Sequence, residues 1–346
     1  ILLGTLLVSS ADACCPAPPS GKPVVNADQT VIMIWDAKTK TQHFIRKASF
    51  KSEADDFGFL VPTPNEPDLK ESGNDAFPYL MKVTAPEEIV KKHPGGGCSP
   101  GCGVSMPAAK NALSVRVLKE VPWVAGFSAV VLEASSANAL VAWLKKHGYN
   151  FSPEVQTWAK PYIEKGWKIT ALKVAKGDKQ KQSVGANALR LTFKTDTPLF
   201  PYREPDYGKS LDALNAKRRL LRIYFIAEAR YKGILTKETP WTGTAEWSGK
   251  LTSQQRSALL KKLNLPPTTG PEQFWLTEFE DVWPYRVMPA DVYFWKDENQ
   301  SVLKREPITV YVSSKIPNDA MAYALASIMI GPPVWTRLTR RERSSD

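Results

Sequence analysis

Two adjacent helical segments, set among many short strand-like segments, constrain the fold more than any other feature of the sequence. The first follows Ser135 or Ser136 as N-cap, carries apolar residues at helical spacing and ends before Gly148. The second has Pro153 at its first position and stops at Gly166. Strand-like segments, rich in β-branched and aromatic residues, precede and follow the pair. This order predicts an α+β protein of mostly antiparallel sheet with an inserted helical pair, rather than repeated βαβ units.

The first strand-like segments, residues 30–36, 42–50 and 57–61, are separated by polar turns. This spacing predicts an antiparallel meander. Three prolines within residues 62–67 predict its end, because proline cannot donate a hydrogen bond to a strand ladder. Further strands are predicted over 112–123, 126–132, 167–174, 188–195 and 220–231, and further helical segments over 74–84, 85–92 and 252–263.

The composition is that of a folded protein large enough for two domains or one large domain. The chain has 346 residues, of which 43% are hydrophobic and 23% charged. Beyond residue 232 the pattern loosens, and Trp241 and Trp247 are predicted to lie in a polar loop. The predicted divisions are a signal-peptide remnant over 1–13, an α+β domain over 14–232, a looser C-terminal region over 233–317, and an apolar helix with a basic tail over 318–346.

The N-terminus predicts export from the cytoplasm. An apolar run over residues 1–8 is followed by the small-x-small triplet of residues 11–13, directly before Cys14 and Cys15. The run is too short to span a bilayer, which needs about 20 residues, but it suits the hydrophobic region of a signal peptide. We therefore expect the protein in the periplasm, in the outer envelope or outside the cell.

Export decides how the four cysteines are interpreted, because exported cysteines most often form disulfides. Adjacent cysteines seldom bridge each other, since the geometry is strained. We therefore predict that Cys14 and Cys15 pair with Cys98 and Cys102. Two such pairings are open, and the sequence does not choose between them. Either would tie the proline-rich leader to a glycine-rich loop.

Two other interpretations of the cysteines stay open. The four thiolates, with His93 five residues before Cys98, would suit zinc or copper(I), although a Cys-Cys doublet is unusual in a tetrahedral site. Alternatively, Cys14 is lipidated, since a small residue precedes it. In that case one of the other three cysteines would be unpaired.

Catalytic signals are weak. The three histidines, His43, His93 and His147, belong to no nucleophile, zinc or phosphate-binding motif. Glu278 and Glu280 stand two residues apart, beside Asp281, so a strand would place their carboxylates on one face, as a paired general acid and base need. A solvated strand edge accounts for the same acidic group equally well.

The charge balance and the C-terminal segment bear on partners. The net charge of +11 favours anionic partners, but the charges are dispersed, and predicted export argues against nucleic acid. Residues 320–335 are uncharged and form either a buried closing helix or a membrane anchor flanked by arginines. Association with a membrane would therefore use this segment or a lipidated Cys14.

Four stretches carry a resemblance to a known family. They are VIMIWDAKTKTQHFIRKASF, GFLVPTPNEPDL, LVAWLKKHGYNFSPEVQTWAKPYIEKGWKITALKV and RLTFKTDTPLFPYREP. Together they resemble the bacterial family catalogued as domain of unknown function 2330, over about residues 13–231, with the W-L-x-x-x-G-Y element of residues 143–149 as the most specific part. The resemblance implies an exported envelope protein, often with a hydrophobic C-terminal anchor, and it implies no activity.

The leading functional hypothesis is a non-catalytic envelope or surface module that binds an envelope protein or a surface ligand through exposed strands and aromatic residues. No cofactor and no catalytic residue are predicted. One alternative is a metal-binding or redox protein that uses Cys14, Cys15, Cys98 and Cys102. A further alternative is an envelope hydrolase that uses Glu278 and Glu280.

Overall fold

A computed structural model describes most of the chain, in two compact units. The first unit is formed by Ile1–Ala85 and Cys102–Arg305, and the second by Pro86–Gly101 and Glu306–Asp346. The predicted signal remnant and the predicted apolar helix with its basic tail lie outside the described residues. These are 15–17, 29–47, 58–92, 116–149, 154–174, 187–205, 219–236, 239–283 and 290–312.

The first unit contains a seven-stranded sheet in which the described strands pair antiparallel, except for one parallel pair at its centre, β2 with β12. Its strands, in spatial order, are β14 (Thr244–Lys250), β15 (Trp275–Trp283), β12 (Arg219–Ala227), β2 (Gln29–Asp36), β3 (Thr41–Lys47), β10 (Asn187–Lys194) and β5 (Asp68–Gly73).

Two smaller antiparallel sheets complete the strands of this unit. The five-stranded sheet has the order β1 (Cys15–Ala17), β4 (Gly58–Thr63), β9 (Lys168–Val174), β8 (Phe127–Glu133) and β7 (Arg116–Val124). The three-stranded sheet has the order β11 (Leu199–Phe200), β16 (Val292–Lys296) and β13 (Tyr231–Ile234).

In the part of the chain that the structure describes, four helices cover the two larger sheets. They are α1 (Ala76–Val83), α2 (Ala137–Lys146), α3 (Glu154–Glu164) and α4 (Ser253–Lys262). Helices α1 and α4 pack on one face of the seven-stranded sheet, and α2 and α3 pack on one face of the five-stranded sheet. The other faces of these sheets and the inner face of the three-stranded sheet share one apolar core, which includes Met33, Phe127, Phe225 and Phe294. The result is a helix, sheet, sheet, helix arrangement.

Local capping signals set the helix starts. Ser136 is the N-cap of α2, and its side chain accepts a hydrogen bond from the backbone N–H of Ala139 at 3.1 Å. Thr252 and Gln255 form a capping box at the start of α4, with distances of 3.1 and 2.8 Å. Both helices therefore begin where the sequence predicts.

The C-terminal end of α4 is fastened to the seven-stranded sheet. Arg190 and Ser72 donate hydrogen bonds to the carbonyl of Leu263, and the Arg190 contact is 3.3 Å long. Gly73 allows the close approach, because a Cβ there would lie 1.8 Å from the carbonyl oxygen of Lys262. The buried guanidinium also suits the negative end of the helix dipole.

In the first unit, three predictions of local structure are wrong. The segment around residues 57–61 becomes β4, which pairs with β9 in the other sheet, so the predicted meander is only a β2–β3 hairpin. Pro62 lies within β4 instead of ending it. Trp247 lies in β14, where it pairs with β15 and is partly buried, and Trp241 is buried in the shared core, because partners distant in sequence decide both positions.

The second unit contains a parallel pair of strands, β6 (Glu88–Lys92) and β17 (Ile308–Val312). The predicted helical piece over residues 85–92 is therefore wrong. Its β-branched residues, Ile89 and Val90, suit the strand that pairs with β17. Among all the described helices, none is long and apolar enough to cross a membrane.

Candidate functional site

The acidic group predicted from the sequence lies on β15, which carries its carboxylates on both faces. Glu278 and Glu280 point to the helix-covered face, as the alternation of a strand requires. Asp281 points to the opposite face, toward the shared core. The proposed solvated edge is wrong, because β15 lies between β14 and β12, and Glu278 is 1% exposed.

Two arginines neutralise Glu278 and Glu280. Arg222 on β12 places its Nε 2.8 Å from Oε1 of Glu278 and its Nη2 2.7 Å from Oε1 of Glu280. Arg305 places its Nη2 3.2 Å and 2.6 Å from the same two oxygens. We call these four residues the ionic cluster. Sequence reasoning missed both arginines, since neither is near β15 in the chain.

The ionic cluster is poorly suited to general acid catalysis. Burial acts to raise the pKa of Glu280, but hydrogen bonds from Arg222 and Arg305 outweigh it and hold that pKa below its usual value. The carboxylate is therefore ionised at neutral pH and has no proton to give. Tyr224 stands directly opposite Glu278, and burial, together with that carboxylate, raises the pKa of its hydroxyl.

One atom of the ionic cluster is left without a hydrogen bond. Oε2 of Glu278 is buried and has no hydrogen-bond partner among the residues that the structure describes. Its other oxygen, Oε1, forms ion pairs with both arginines. A buried unpaired acceptor costs free energy, so the cluster is held together by its ion pairs and not by complete hydrogen bonding.

Asp281 is held by neutral donors instead of arginines. Its Oδ2 accepts hydrogen bonds from the hydroxyl of Tyr202 and from Nε1 of Trp241, the latter at 3.0 Å. Its Oδ1 accepts from Oγ1 of Thr242 at 2.8 Å. Gly233 leaves room for the indole ring, since a Cβ there would lie 2.4 Å from it.

Another buried carboxylate, Asp291, connects the helical layer to the three-stranded sheet. Its Oδ1 accepts hydrogen bonds from the hydroxyl of Tyr162 on α3 at 2.7 Å and from the backbone N–H groups of Tyr202 at 3.0 Å and Arg203 at 3.2 Å. Burial nevertheless raises the pKa of Asp291. No local pattern in the sequence indicates this contact.

Neither described histidine is poised for catalysis. Burial is the main cause that lowers the pKa of His43 to about 4, and the positive charge of Arg190 is the second. The Nδ1 atom of His43 lies 2.9 Å from the hydroxyl oxygen of Thr192. Burial also lowers the pKa of His147, whose ring stacks on Trp143 at a centroid distance of 3.7 Å. Both rings are neutral at physiological pH.

The predicted cysteine site falls largely outside the described residues. Cys14, Cys98, Cys102 and His93 are not among them. Cys15 begins β1, where its backbone pairs opposite Leu60. In the parts of the chain that the structure describes, no group of three or more His, Cys, Asp or Glu residues is arranged to hold a metal ion.

An open cleft of about 570 Å³ lies between α2 and α3. Its lining includes the polar residues Ser136, Asn138, Gln156 and Thr157 together with apolar side chains. The side-chain amide of Gln156 donates a hydrogen bond to Asn138 and so joins the two helices at this cleft. Lys160 and Glu164 also line it and are ion-paired at 3.8 Å, which leaves the cleft without a concentrated charge.

The three-stranded sheet has an outer face that carries aromatic side chains. Val292 and Phe294 of β16 are buried on the inner face of the sheet. Tyr293 and Trp295 alternate with them along the strand and therefore lie on the outer face. Trp295 is 52% exposed and pairs across the sheet with Lys232 of β13. Tyr293 pairs with Ile234 of the same strand. We call these four residues the outer aromatic face.

Comparisons with known proteins identify a family but no activity. The sequence profile of a bacterial family described as "Uncharacterized protein conserved in bacteria (DUF2330)" matches residues 8–294. A search of curated proteins finds no match. Among solved structures, a crystal structure of baculovirus P35 aligns at 9% identity over 81% of this chain and 96% of that chain, with a TM-score of 0.32, which is too low to indicate a common fold.

Proposed function

The chain belongs to the bacterial family DUF2330, and from that premise we propose that it is an exported envelope protein that binds a partner, without catalysis, through its outer aromatic face. The observation that carries this proposal is the position of Trp295. Its ring is half exposed on a regular strand, beside Tyr293, while the alternate residues of that strand are buried in the core.

A half-exposed tryptophan on a sheet suits recognition. A large ring with an N–H group offers apolar contact area and a hydrogen bond at a small entropic cost, which is why tryptophan is enriched at interfaces. The strand holds the ring in place before a partner arrives. The flanking charges of Lys232 and Glu298 are paired at 3.5 Å and would form a polar rim.

Export and disulfide bonding form part of the same proposal. They are supported by the apolar run and the small-x-small triplet before Cys14, and by the even number of cysteines. Mass measurement of the intact mature protein, with and without reduction, tests them. Two disulfides would remove four hydrogens from the four cysteines, whereas free thiols with bound zinc or copper would contradict the proposal.

The binding surface is tested by site-specific photo-crosslinking in intact cells. A photoreactive phenylalanine analogue replaces Trp295 in one full-length protein and Met81 of α1 in another. Met81 is a matched control, because it is 54% exposed on another part of the first unit. We expect a discrete crosslinked product in the envelope fraction from position 295 and none from position 81. No product at 295, or the same product at both positions, would refute the proposal.

A further inference from the structure

A short extended segment runs along the outer edge of the seven-stranded sheet. We call residues 301–305 the strap. Within it, the backbone N–H and C=O groups of Leu303 exchange hydrogen bonds with those of Ser248 on β14, both at 2.8 Å. The pairing is antiparallel, so Arg305 comes opposite Glu246, and their side chains lie 3.9 Å apart. The strap therefore occupies the place of an additional edge strand.

Polar contacts fasten the beginning of the strap. Arg230 donates a hydrogen bond from its Nη1 to the carbonyl of Ser301 at 3.0 Å. The side chain of Gln300 accepts from the backbone N–H of Arg230 and donates to its carbonyl, both at 3.0 Å. Asp297 forms an ion pair with Arg230 at 3.3 Å. This end is held by one residue of the loop between β12 and β13.

At the other end of the strap, Arg305 forms ion pairs with the sheet. Its guanidinium reaches Glu278 and Glu280 in the ionic cluster, and the next residue, Glu306, already belongs to the second unit. Between the two ends, little apolar surface is buried. Val302 is 60% exposed, and Lys304 is exposed as well. A segment with few buried contacts and one backbone bridge opens more easily than the sheet beneath it.

We infer that the strap is a displaceable occupant of a strand-addition site, and that the contacts of Arg305 with the ionic cluster keep it in place. Beyond the bridge at Ser248, β14 has an edge to which a further strand can add by backbone hydrogen bonds. The incoming partner is an extended polypeptide that runs antiparallel to β14.

The ionic cluster defines the chemistry of that partner. When the strap is displaced, Arg305 no longer contacts Glu278 and Glu280. The two carboxylates are then neutralised by a single guanidinium, that of Arg222. Glu246 adds a third carboxylate at the same edge. An incoming strand therefore needs a basic side chain two residues after the residue that bridges Ser248, as Arg305 stands two residues after Leu303.

Hydrogen exchange of the full-length protein, measured by NMR, tests the release. In Arg305→Met we expect the amides of Ser248 and Leu303 to exchange about tenfold faster or more, because the strap loses its charge-assisted hydrogen bonds. Lys250→Met, at an exposed lysine two residues from Ser248 on β14, is the matched control and should change neither amide. The amide of Phe225 in the central strand β12 reports the stability of the whole unit, so the acceleration at Ser248 and Leu303 is measured relative to Phe225 and should clearly exceed any change there.

A peptide copying residues 299–307 then tests strand addition. Added in excess to Arg305→Met, it should slow exchange at Ser248 again, whereas the same peptide with methionine at the arginine position should not. Unchanged exchange at Ser248 and Leu303 in Arg305→Met would overturn the role of Arg305. Accelerated exchange that the peptide does not reverse would overturn the strand-addition site. Acceleration at Phe225 equal to that at Ser248 and Leu303 would show that Arg305 stabilises the whole unit and not the strap in particular, and the inference would fail.

Discussion

The two faces of β15 accommodate buried carboxylates in different ways. On the helix-covered face, Glu278 and Glu280 are neutralised by the guanidinium groups of Arg222 and Arg305. On the opposite face, Asp281 accepts hydrogen bonds from neutral donors, Tyr202, Trp241 and Thr242 among them. The ionic cluster lies where the chain leaves the first unit, and Asp281 lies in the shared core. The comparison indicates that a buried acidic residue can be accommodated on either face, by ion pairs on one and by neutral hydrogen-bond donors on the other.

The largest effect is expected from Asp281→Ala, which removes the acceptor of two buried donors, Tyr202 and Trp241, and of the exposed hydroxyl of Thr242. Each buried unsatisfied group costs about 1–3 kcal/mol, so we expect the free energy of unfolding to fall by about 4 kcal/mol. Chemical denaturation measures it. Asp281→Asn keeps one acceptor oxygen and should lose clearly less. Equal losses in the two variants would mean that the negative charge, and not the hydrogen bonds, matters at this position.

A smaller effect is expected from Arg222→Met, on the other face. Two carboxylates would then share Arg305 alone, and we expect a loss of about 3 kcal/mol, the lower end of the range for breaking a buried ion pair. Arg222→Met combined with Glu280→Leu removes the uncompensated charge and should recover part of the loss. A double variant less stable than the single one would show that the arginine matters through packing.

The two carboxylates with shifted pKa values should respond oppositely to pH. The pKa of Glu280 is lowered in the folded protein, so its stabilisation is present above the unfolded-state pKa and is lost as pH falls through the folded-state pKa. The pKa of Asp291 is raised, so the folded state keeps that proton longer, and stability falls as pH rises above the unfolded-state pKa toward the folded-state pKa.

Neutral variants separate these two dependences. In Glu280→Gln, the free energy of unfolding should fall less in acid than it does in the wild type. In Asp291→Asn, it should fall less when the pH is raised above the usual pKa of an aspartate. Denaturation curves measured across that pH range report both. The same pH dependence in the wild type and in both variants would show that neither group is linked to folding.

Local signals in the sequence predict part of this arrangement. Ser136 and Thr252 mark helix starts because a cap acts within three residues. Glu278 and Glu280 share a face because strand alternation is local. The partners of the carboxylates could not be predicted, since Arg222 and Tyr202 reach β15 only after the chain has crossed between sheets. The same limit explains why β4 leaves the predicted meander, because the choice between a hairpin and a crossing depends on distant strands.

The smallest effect is expected at the rim of the ionic cluster. Glu246 lies 3.9 Å from Arg305, and its side chain is 36% exposed, so solvent screens the attraction. Glu246→Gln should therefore lower the free energy of unfolding by about 0.3 kcal/mol, and added salt should reduce even this difference. Denaturation at low and high salt measures it. A loss of unfolding free energy as large as that of Arg222→Met would contradict this expectation. It would mean that the partly exposed pair at the edge of β14 stabilises the protein as much as the buried ion pairs do.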